Sequence, residues 1–354
     1  MIMAKKIGIL TVYSFNYGSF FQATALYRYL KDHGYDCEFI NERFKKKQWG
    51  NLRLLYTFHD LLPGSLRGFV GKILPQYVTY LRLQKDVAAY RESDPKKLDT
   101  EELTKGYDLV LLGADELWSA SPKSIRYTPE HFGYGISCPH SAYATSGCLF
   151  DPDDPELCEK AAAGLKTFDR IAVRDPFTAD VVEKLTGNRP AVVLDPALLY
   201  PYYAGKPGNE KSRTPYVLLY GSEYDGAQRE FIRTQAQRLG AKIFALGWPQ
   251  DFADGFLDPQ TAADFQKCFS DASYCFPATF HGTVFSVTNH KPFITMGNDL
   301  RGKKIGMLLE QIGLSDRLYR EGASYGEIDY VSTDARLDAL RAESEAYLKT
   351  VLEQ

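Results

Sequence analysis

The sequence predicts an α/β protein made of two Rossmann-like domains that face each other across a cleft. Three observations predict it. Short, mostly apolar runs such as 6–13 (KIGILTVY) and 108–112 (DLVLL) alternate with helix-period segments, which is how strands buried on both faces of a parallel sheet read. The alternation halts once, at 202–215, where Gly, Pro, Lys and Ser replace apolar residues, and then restarts. The 354 residues exceed what one hydrophobic core comfortably serves. The expected domains are 1–204 and 205–354.

Each element has a local reason. Residues 6–13 form a strand. Residues 20–33 form a helix with Phe21, Ala25, Leu26, Tyr29 and Leu30 on one face and Gly34 at its end. Residues 37–40 form the next strand. Such a βαβ unit requires parallel pairing and a right-handed crossover. Strands at 108–112, 141–145 and 171–174 follow. A helix over 175–185 has Pro176 in its first turn and stops at Gly187. A strand at 191–194 ends in Asp195-Pro196, a turn-capping pair. In the second half, strands at 216–220, 242–246 and 274–276 alternate with helices at 226–239 and 261–269. A turn, a helix at 283–288, a strand at 291–296 and a helix at 303–312 come next. A polar helix from about 335 closes the chain, long enough to pack back on the first domain.

Composition excludes several functions. The net charge of −3 gives no case for nucleic acid, and no run approaches the roughly 20 apolar residues of a membrane span. The six cysteines lack CxxC spacing and read as free thiols of a reducing, cytoplasmic compartment. Neither GxGxxG nor a P-loop is present, so dinucleotide and ATP chemistry are unsupported. No metal-ligand spacing appears, and no metal is expected. One stretch departs from the average. Between Arg43 and Lys85, nine basic residues face the single acid Asp60, interleaved with Leu54, Leu55, Tyr56, Phe58, Leu61 and Leu62. Such a stretch is either a helical insertion over about 43–100 with a solvated basic face or a segment docking on anionic membrane.

Two places hold candidate chemistry. His281 stands in a predicted turn between a strand and a helix, and ligands of open α/β sheets sit at the carboxyl ends of strands. A histidine there can exchange protons near neutral pH, and the following amides of Gly282 and Thr283 can face an anion. Asn16, Tyr17 and Gly18 lie in the loop after the first strand, where Gly18 permits close approach.

Four pieces of the chain, read in order over about residues 6–320, resemble the polysaccharide pyruvyl transferase family: 16–23 (NYGSFFQA), 108–118 (DLVLLGADELW), 172–175 with 193–199 (AVRD, VLDPALL), and 279–286 with 291–293 (TFHGTVFS, KPF). The resemblance implies a GT-B-like architecture and transfer of the enolpyruvyl unit of phosphoenolpyruvate to a sugar diol, forming a pyruvate ketal on a surface or capsular polysaccharide precursor. Phosphoenolpyruvate is then a co-substrate, no cofactor is needed, and the acceptor is a sugar or lipid-linked oligosaccharide. His281 becomes the acid/base and Asp115 the group that orients or deprotonates an acceptor hydroxyl. Arg174, Arg301 and Lys303 become donor-binding cations, with Thr279, Gly282 and Thr283 beside them. Asn16, Tyr17, Gly18, Gln22 and Trp118 become acceptor-binding residues. The sequence also departs from the pattern. Thr279 stands where ketal-forming members carry arginine, Arg301 is the nearest match to a lysine expected some twenty residues after the histidine, and Ala114 and Glu116 replace Ser and Gln. Two alternatives stay open: a glycosyltransferase using a nucleotide sugar, and a non-catalytic glycan- or lipid-binding protein.

Overall fold

The computed structural model describes residues 5–13, 16–40, 78–79, 81–83, 104–120, 127–204, 215–297 and 299–353. Two parallel sheets organise them. The first contains β1 (Lys6–Leu10), β2 (Asp36–Phe39), β3 (Leu109–Leu112), β4 (His140–Thr145), β5 (Arg170–Val173) and β6 (Ala191–Val192), in the order β2-β1-β3-β4-β5-β6. The second contains β7 (Tyr216–Tyr220), β8 (Lys242–Leu246), β9 (Gly255–Leu257) and β10 (Tyr274–Pro277), in the order β10-β7-β8-β9. The fold class is α/β, with two parallel sheets whose strand ends face a shared cleft.

The helices are α1 (Tyr17–Asp32), α2 (Pro155–Leu165), α3 (Pro176–Thr186), α4 (Pro196–Leu199), α5 (Gly226–Arg238), α6 (Ala262–Asp271), α7 (Phe280–Thr288), α8 (Asp299–Gln311) and α9 (Tyr330–Leu352). Three of them begin earlier than their apolar periodicity suggests, because a polar side chain caps each. Asn16 accepts from the Ser19 amide at 3.0 Å and starts α1. Thr279 accepts from the Gly282 amide at 3.0 Å and starts α7. Asp329 accepts from the Ser332 amide at 3.1 Å and starts α9. Such caps satisfy amides that a helix leaves free.

Other differences have equally local causes. The short edge strand β9 and the single-turn helix α4 carry too few residues to show a period. The expected strand at 291–296 makes only isolated bridges, Cys275 with Phe293 and Thr295 with Leu318, since Pro292 has no N–H to give a ladder.

Strand order fixes where a ligand can sit. After β1 the chain pairs β2 on one side and β3 on the other. After β7 it pairs β8 on one side and β10 on the other. These are the two switch points, and the loops at their carboxyl ends diverge and leave crevices. The two crevices open on the same cleft.

One apolar cluster joins the two sheets. Tyr17 stacks on Phe265 with ring centroids 4.0 Å apart. Phe21 meets Phe285 edge-on at 5.4 Å, and Tyr203 meets the same ring at 5.6 Å. Helix α9 lies against the first sheet. Its Ser344 hydroxyl accepts from the Leu194 amide at 3.0 Å, its Tyr347 hydroxyl donates to the Ala142 carbonyl at 3.0 Å, and Arg341 donates to the Leu198 carbonyl at 2.9 Å. Leu348 and Val351 on this helix are fully buried.

Most of the basic stretch 43–85 lies outside the described residues. Within it, 78–79 and 81–83 are helical, and Arg82 forms a two-pronged ion pair with Asp258 at 2.6 and 3.1 Å. This cation is committed to the second half of the chain. Among the described residues, no helix is long and apolar enough to cross a membrane.

Candidate active site

The cleft holds a cavity of about 620 Å³, within the range of small-molecule sites. Its walls come from strand ends. Val12 and Asn16 follow β1, Asp115 and Glu116 follow β3, and Cys148 follows β4. Tyr220 and Ser222 come from the end of β7, Trp248 follows β8, Thr279, Phe280 and His281 follow β10, and Lys304 projects from α8.

His281 sits in the first turn of α7, two residues beyond the cap Thr279. It therefore belongs to the helix and not to the turn before it. Its side chain is 12% exposed, and its Nε2 lies 3.5 Å from Asp195 Oδ2. Asp195 is fully buried at the head of α4, where Oδ1 accepts the Ala197 amide at 2.9 Å. Its other oxygen also accepts from Arg174 Nη1 at 2.8 Å. Arg174 follows β5, is 4% exposed, and lies over the Phe280 ring at 4.2 Å. Burial works against the charge on both partners. The neighbours win: His281 and Arg174 hold the Asp195 carboxyl well below the usual range, and Asp195, Asp115 and Glu116 raise the Arg174 guanidinium further.

Across the cavity, Glu116 contacts Lys304, an ion pair linking the loop after β3 to α8. Burial would raise the Glu116 carboxyl, but Lys304, Arg174 and His281 lower it overall. Asp115 has a left-handed backbone with φ of 80°, and its Oδ1 accepts the Glu116 amide at 2.9 Å. Cys148 also faces the cavity, but burial and nearby Asp175 push its thiol up to about 12. It is therefore no nucleophile near neutral pH.

The structure brings together His281, Asp115, Asn16 and Thr279 on the cavity wall. Other expected residues lie elsewhere. Trp118 is buried, donates its indole N–H to the His131 carbonyl at 2.6 Å and stacks on Phe132, so it presents no face to an acceptor. Tyr17 is buried against Phe265 and its hydroxyl donates to the Pro259 carbonyl at 3.3 Å. Gln22 is fully buried; it donates to the Val12 carbonyl at 2.8 Å and accepts the Ala114 amide at 3.1 Å, so it pins the β1 and β3 loops that carry the site.

Gly18 serves the histidine: a Cβ there would lie 2.5 Å from His281 Nδ1. The anion-facing amides expected at Gly282 and Thr283 are already taken, by the Thr279 hydroxyl at 3.0 Å and the Thr279 carbonyl at 3.1 Å. Arg174 is a buried partner of Asp195 and does not line the cavity. Lys303 is exposed and does not line the cavity, whereas Lys304 does. Arg301 lies in the first turn of α8, but its side chain is outside the described residues.

Sequence reasoning missed Asp195, Glu116, Lys304, Tyr220, Ser222 and Trp248 as site residues. The available signal was position: all but Lys304 stand at or just after a strand's carboxyl end, where open sheets place ligands. Among the described residues, no group of three or more His, Cys, Asp or Glu gathers as metal ligands.

A family model described as "Polysaccharide pyruvyl transferase" matches residues 16–299. No curated protein matches the chain. Among solved structures, UDP-GlcNAc 2-epimerase from Methanocaldococcus jannaschii aligns over 95% of this chain and 92% of its own at 10% identity and a TM-score of 0.46. The Streptomyces sp. SF2575 glycosyltransferase SsfS6, complexed with thymidine diphosphate, aligns over 99% and 100% at 12% identity and a TM-score of 0.43. The E. coli heptosyltransferase WaaC aligns over 96% and 99% at 11% identity and a TM-score of 0.39.

Proposed function

Because the chain belongs to the polysaccharide pyruvyl transferase family, a family of transferases, we propose that it moves the enolpyruvyl unit of phosphoenolpyruvate onto two hydroxyls of one sugar, forming a cyclic ketal and releasing phosphate. The observation that carries this reading is His281: a histidine at the meeting of both switch points, with one nitrogen 3.5 Å from a buried carboxylate and Lys304 on the wall of the same cavity.

The chemistry can be assigned atom by atom. Protonated His281 gives its proton to the methylene carbon; the C=C π pair becomes the new C–H bond, and the carbon bearing the phosphate gains oxocarbenium character. The first sugar hydroxyl bonds to that carbon, and His281 takes up the hydroxyl proton. The second hydroxyl attacks the same carbon, the C–O bond to phosphate breaks with its electron pair, and the second proton leaves on phosphate. One histidine working as acid and then base meets the requirement of the first step. Asp115, on the cavity wall, orients an acceptor hydroxyl. Trp248, tilted against Tyr220 with ring centroids 5.3 Å apart, offers the aromatic wall that a sugar ring packs on, in place of Trp118.

The anionic donor needs a cation. Lys304 is the one described lysine on the cavity wall, and it already pairs with Glu116. An incoming phosphate or carboxylate must therefore compete with Glu116. Glu116→Gln removes that competitor, and calorimetry is expected to show phosphoenolpyruvate binding tightened by a factor of about ten, the order of one charge-assisted contact. Unchanged affinity would place the donor away from Lys304.

The same pairing, with Thr279 in the arginine position, favours a second reading in which the donor is a nucleotide sugar. One experiment separates the two. The protein is incubated with a panel of free, nitrophenyl and lipid-linked sugars, once with phosphoenolpyruvate and once with nucleotide sugars. Sugar-dependent phosphate release supports pyruvyl transfer. Nucleotide release overturns it.

A further inference from the structure

The two nitrogens of His281 have different surroundings. Nε2 is sealed from solvent and makes no hydrogen bond; Asp195 Oδ2 lies 3.5 Å from it. Nδ1 has no hydrogen-bond partner and, unlike Nε2, is not sealed from solvent; it sits beside Gly18 at the start of α1. In a neutral imidazole one nitrogen donates and the other accepts, and the hydrogen bond made by one fixes the role of the other. A lone pair on Nε2 would point at a carboxylate in a dry pocket, where the repulsion is large. The proton therefore belongs on Nε2.

We propose that Asp195 is the positioning residue of the site: it holds His281 with Nε2–H toward the core, so that Nδ1 is the atom that exchanges the proton with substrate, and Gly18 keeps the space that this orientation needs. The proposal rests on the reading of His281 as the proton-transferring group.

Three features support it. Asp195 cannot act as a relay, because Arg174 shares its Oδ2 at 2.8 Å and the Ala197 amide occupies Oδ1 at 2.9 Å; a carboxylate so held orients the ring and stays ionised. Nε2 and Asp195 Oδ2 are 3.5 Å apart without a hydrogen bond; catalytic contacts are often long or poorly aligned before substrate arrives and tighten with it. Gly18 stands in the first turn of α1, where alanine is the better helix former; a Cβ there would lie 2.5 Å from Nδ1 and 2.7 Å from Cγ of His281. Glycine at this position serves the ring and not the helix.

The test begins without substrate. Nitrogen NMR of full-length protein labelled with ¹⁵N-histidine, with His281 assigned by its absence in His281→Gln, is expected to show a protonated Nε2 and an unprotonated Nδ1 in the neutral ring. A proton on Nδ1 overturns the proposal, whatever the donor proves to be. Asp195→Asn is expected to lose the single tautomer and to lower kcat by about a hundredfold or more, the range of a misoriented acid/base, with KM little changed. Since that variant leaves Arg174 buried without its partner, Gly18→Ala supplies a second arm. It is expected to keep the wild-type circular dichroism spectrum while losing kcat, because the added Cβ displaces the ring. Wild-type turnover in Gly18→Ala also overturns the proposal. If neither phosphoenolpyruvate nor any sugar reacts but the Nε2–H tautomer is found, the positioning stands and only the donor reading falls.

Discussion

At the scale of single residues, Asp195 carries more than its neighbours reveal. The pair Asp195-Pro196 reads as a turn cap, and one carboxylate oxygen does cap α4. The other oxygen holds Arg174 and faces His281. No local pattern shows this second use, because its partners lie 21 and 86 positions away. His281 was legible because a polar, titratable residue interrupts an apolar strand–helix passage. Trp118 was misplaced because an indole at a strand end reads the same whether it faces a cleft or the hydrophobic interior. The charge state of Asp195 predicts an acid response. Its folded carboxyl titrates below the usual range, so its contribution is complete above the unfolded value of about 3.9 and is lost as pH falls toward the folded one. Chemical denaturation of the wild type at pH 5 and pH 3 is expected to show this loss. Asp195→Asn is expected to show a smaller drop, and an equal drop would mean that the carboxylate is not held this way.

At the scale of elements, the parallel strands were legible because strands buried on both faces are unbroken apolar runs, such as Leu109–Leu112. Helix starts were not, since Asn16 and Thr279 look like loop residues until their side chains are seen to accept helix amides. That difference of three residues moves His281 into the first turn of α7 and uses up the Gly282 amide. Helix α9 hides its role for another reason. Its surface is mostly polar, and only a narrow stripe including Leu337, Leu348 and Val351 is buried. Those few contacts hold it to the first sheet. Leu348→Ala is expected to lower stability by about 2–5 kcal/mol, as for other leucines truncated in a close-packed core. A loss under about 1 kcal/mol in urea denaturation would mean that α9 is only loosely docked.

At the scale of the whole molecule, the two switch points matter together. Neither sheet alone makes the cavity: Asn16, Asp115 and Cys148 come from the first, and Tyr220, Trp248 and His281 from the second. The sequence shows two alternating halves but not that they share a core. Aromatic contacts between α1, α6 and α7 join them, through Tyr17, Phe21, Phe265 and Phe285. A shared core predicts shared unfolding. Calorimetry is expected to give one transition whose calorimetric and van't Hoff enthalpies agree. Two resolved transitions would mean that the halves fold separately and that the cleft geometry depends on a weak contact.

The central claim is that His281, at the junction of the two sheets, moves the proton that lets phosphoenolpyruvate join a sugar diol. Proton NMR of the reaction mixture tests it most directly, by following the methyl signal of the ketal against phosphate released. The wild type is expected to form ketal methyl and phosphate in equal amounts with at least one sugar of the panel, and folded His281→Ala to form neither above background. Ketal formed by His281→Ala at the wild-type rate, or phosphate released with no ketal methyl from any sugar, would contradict the account.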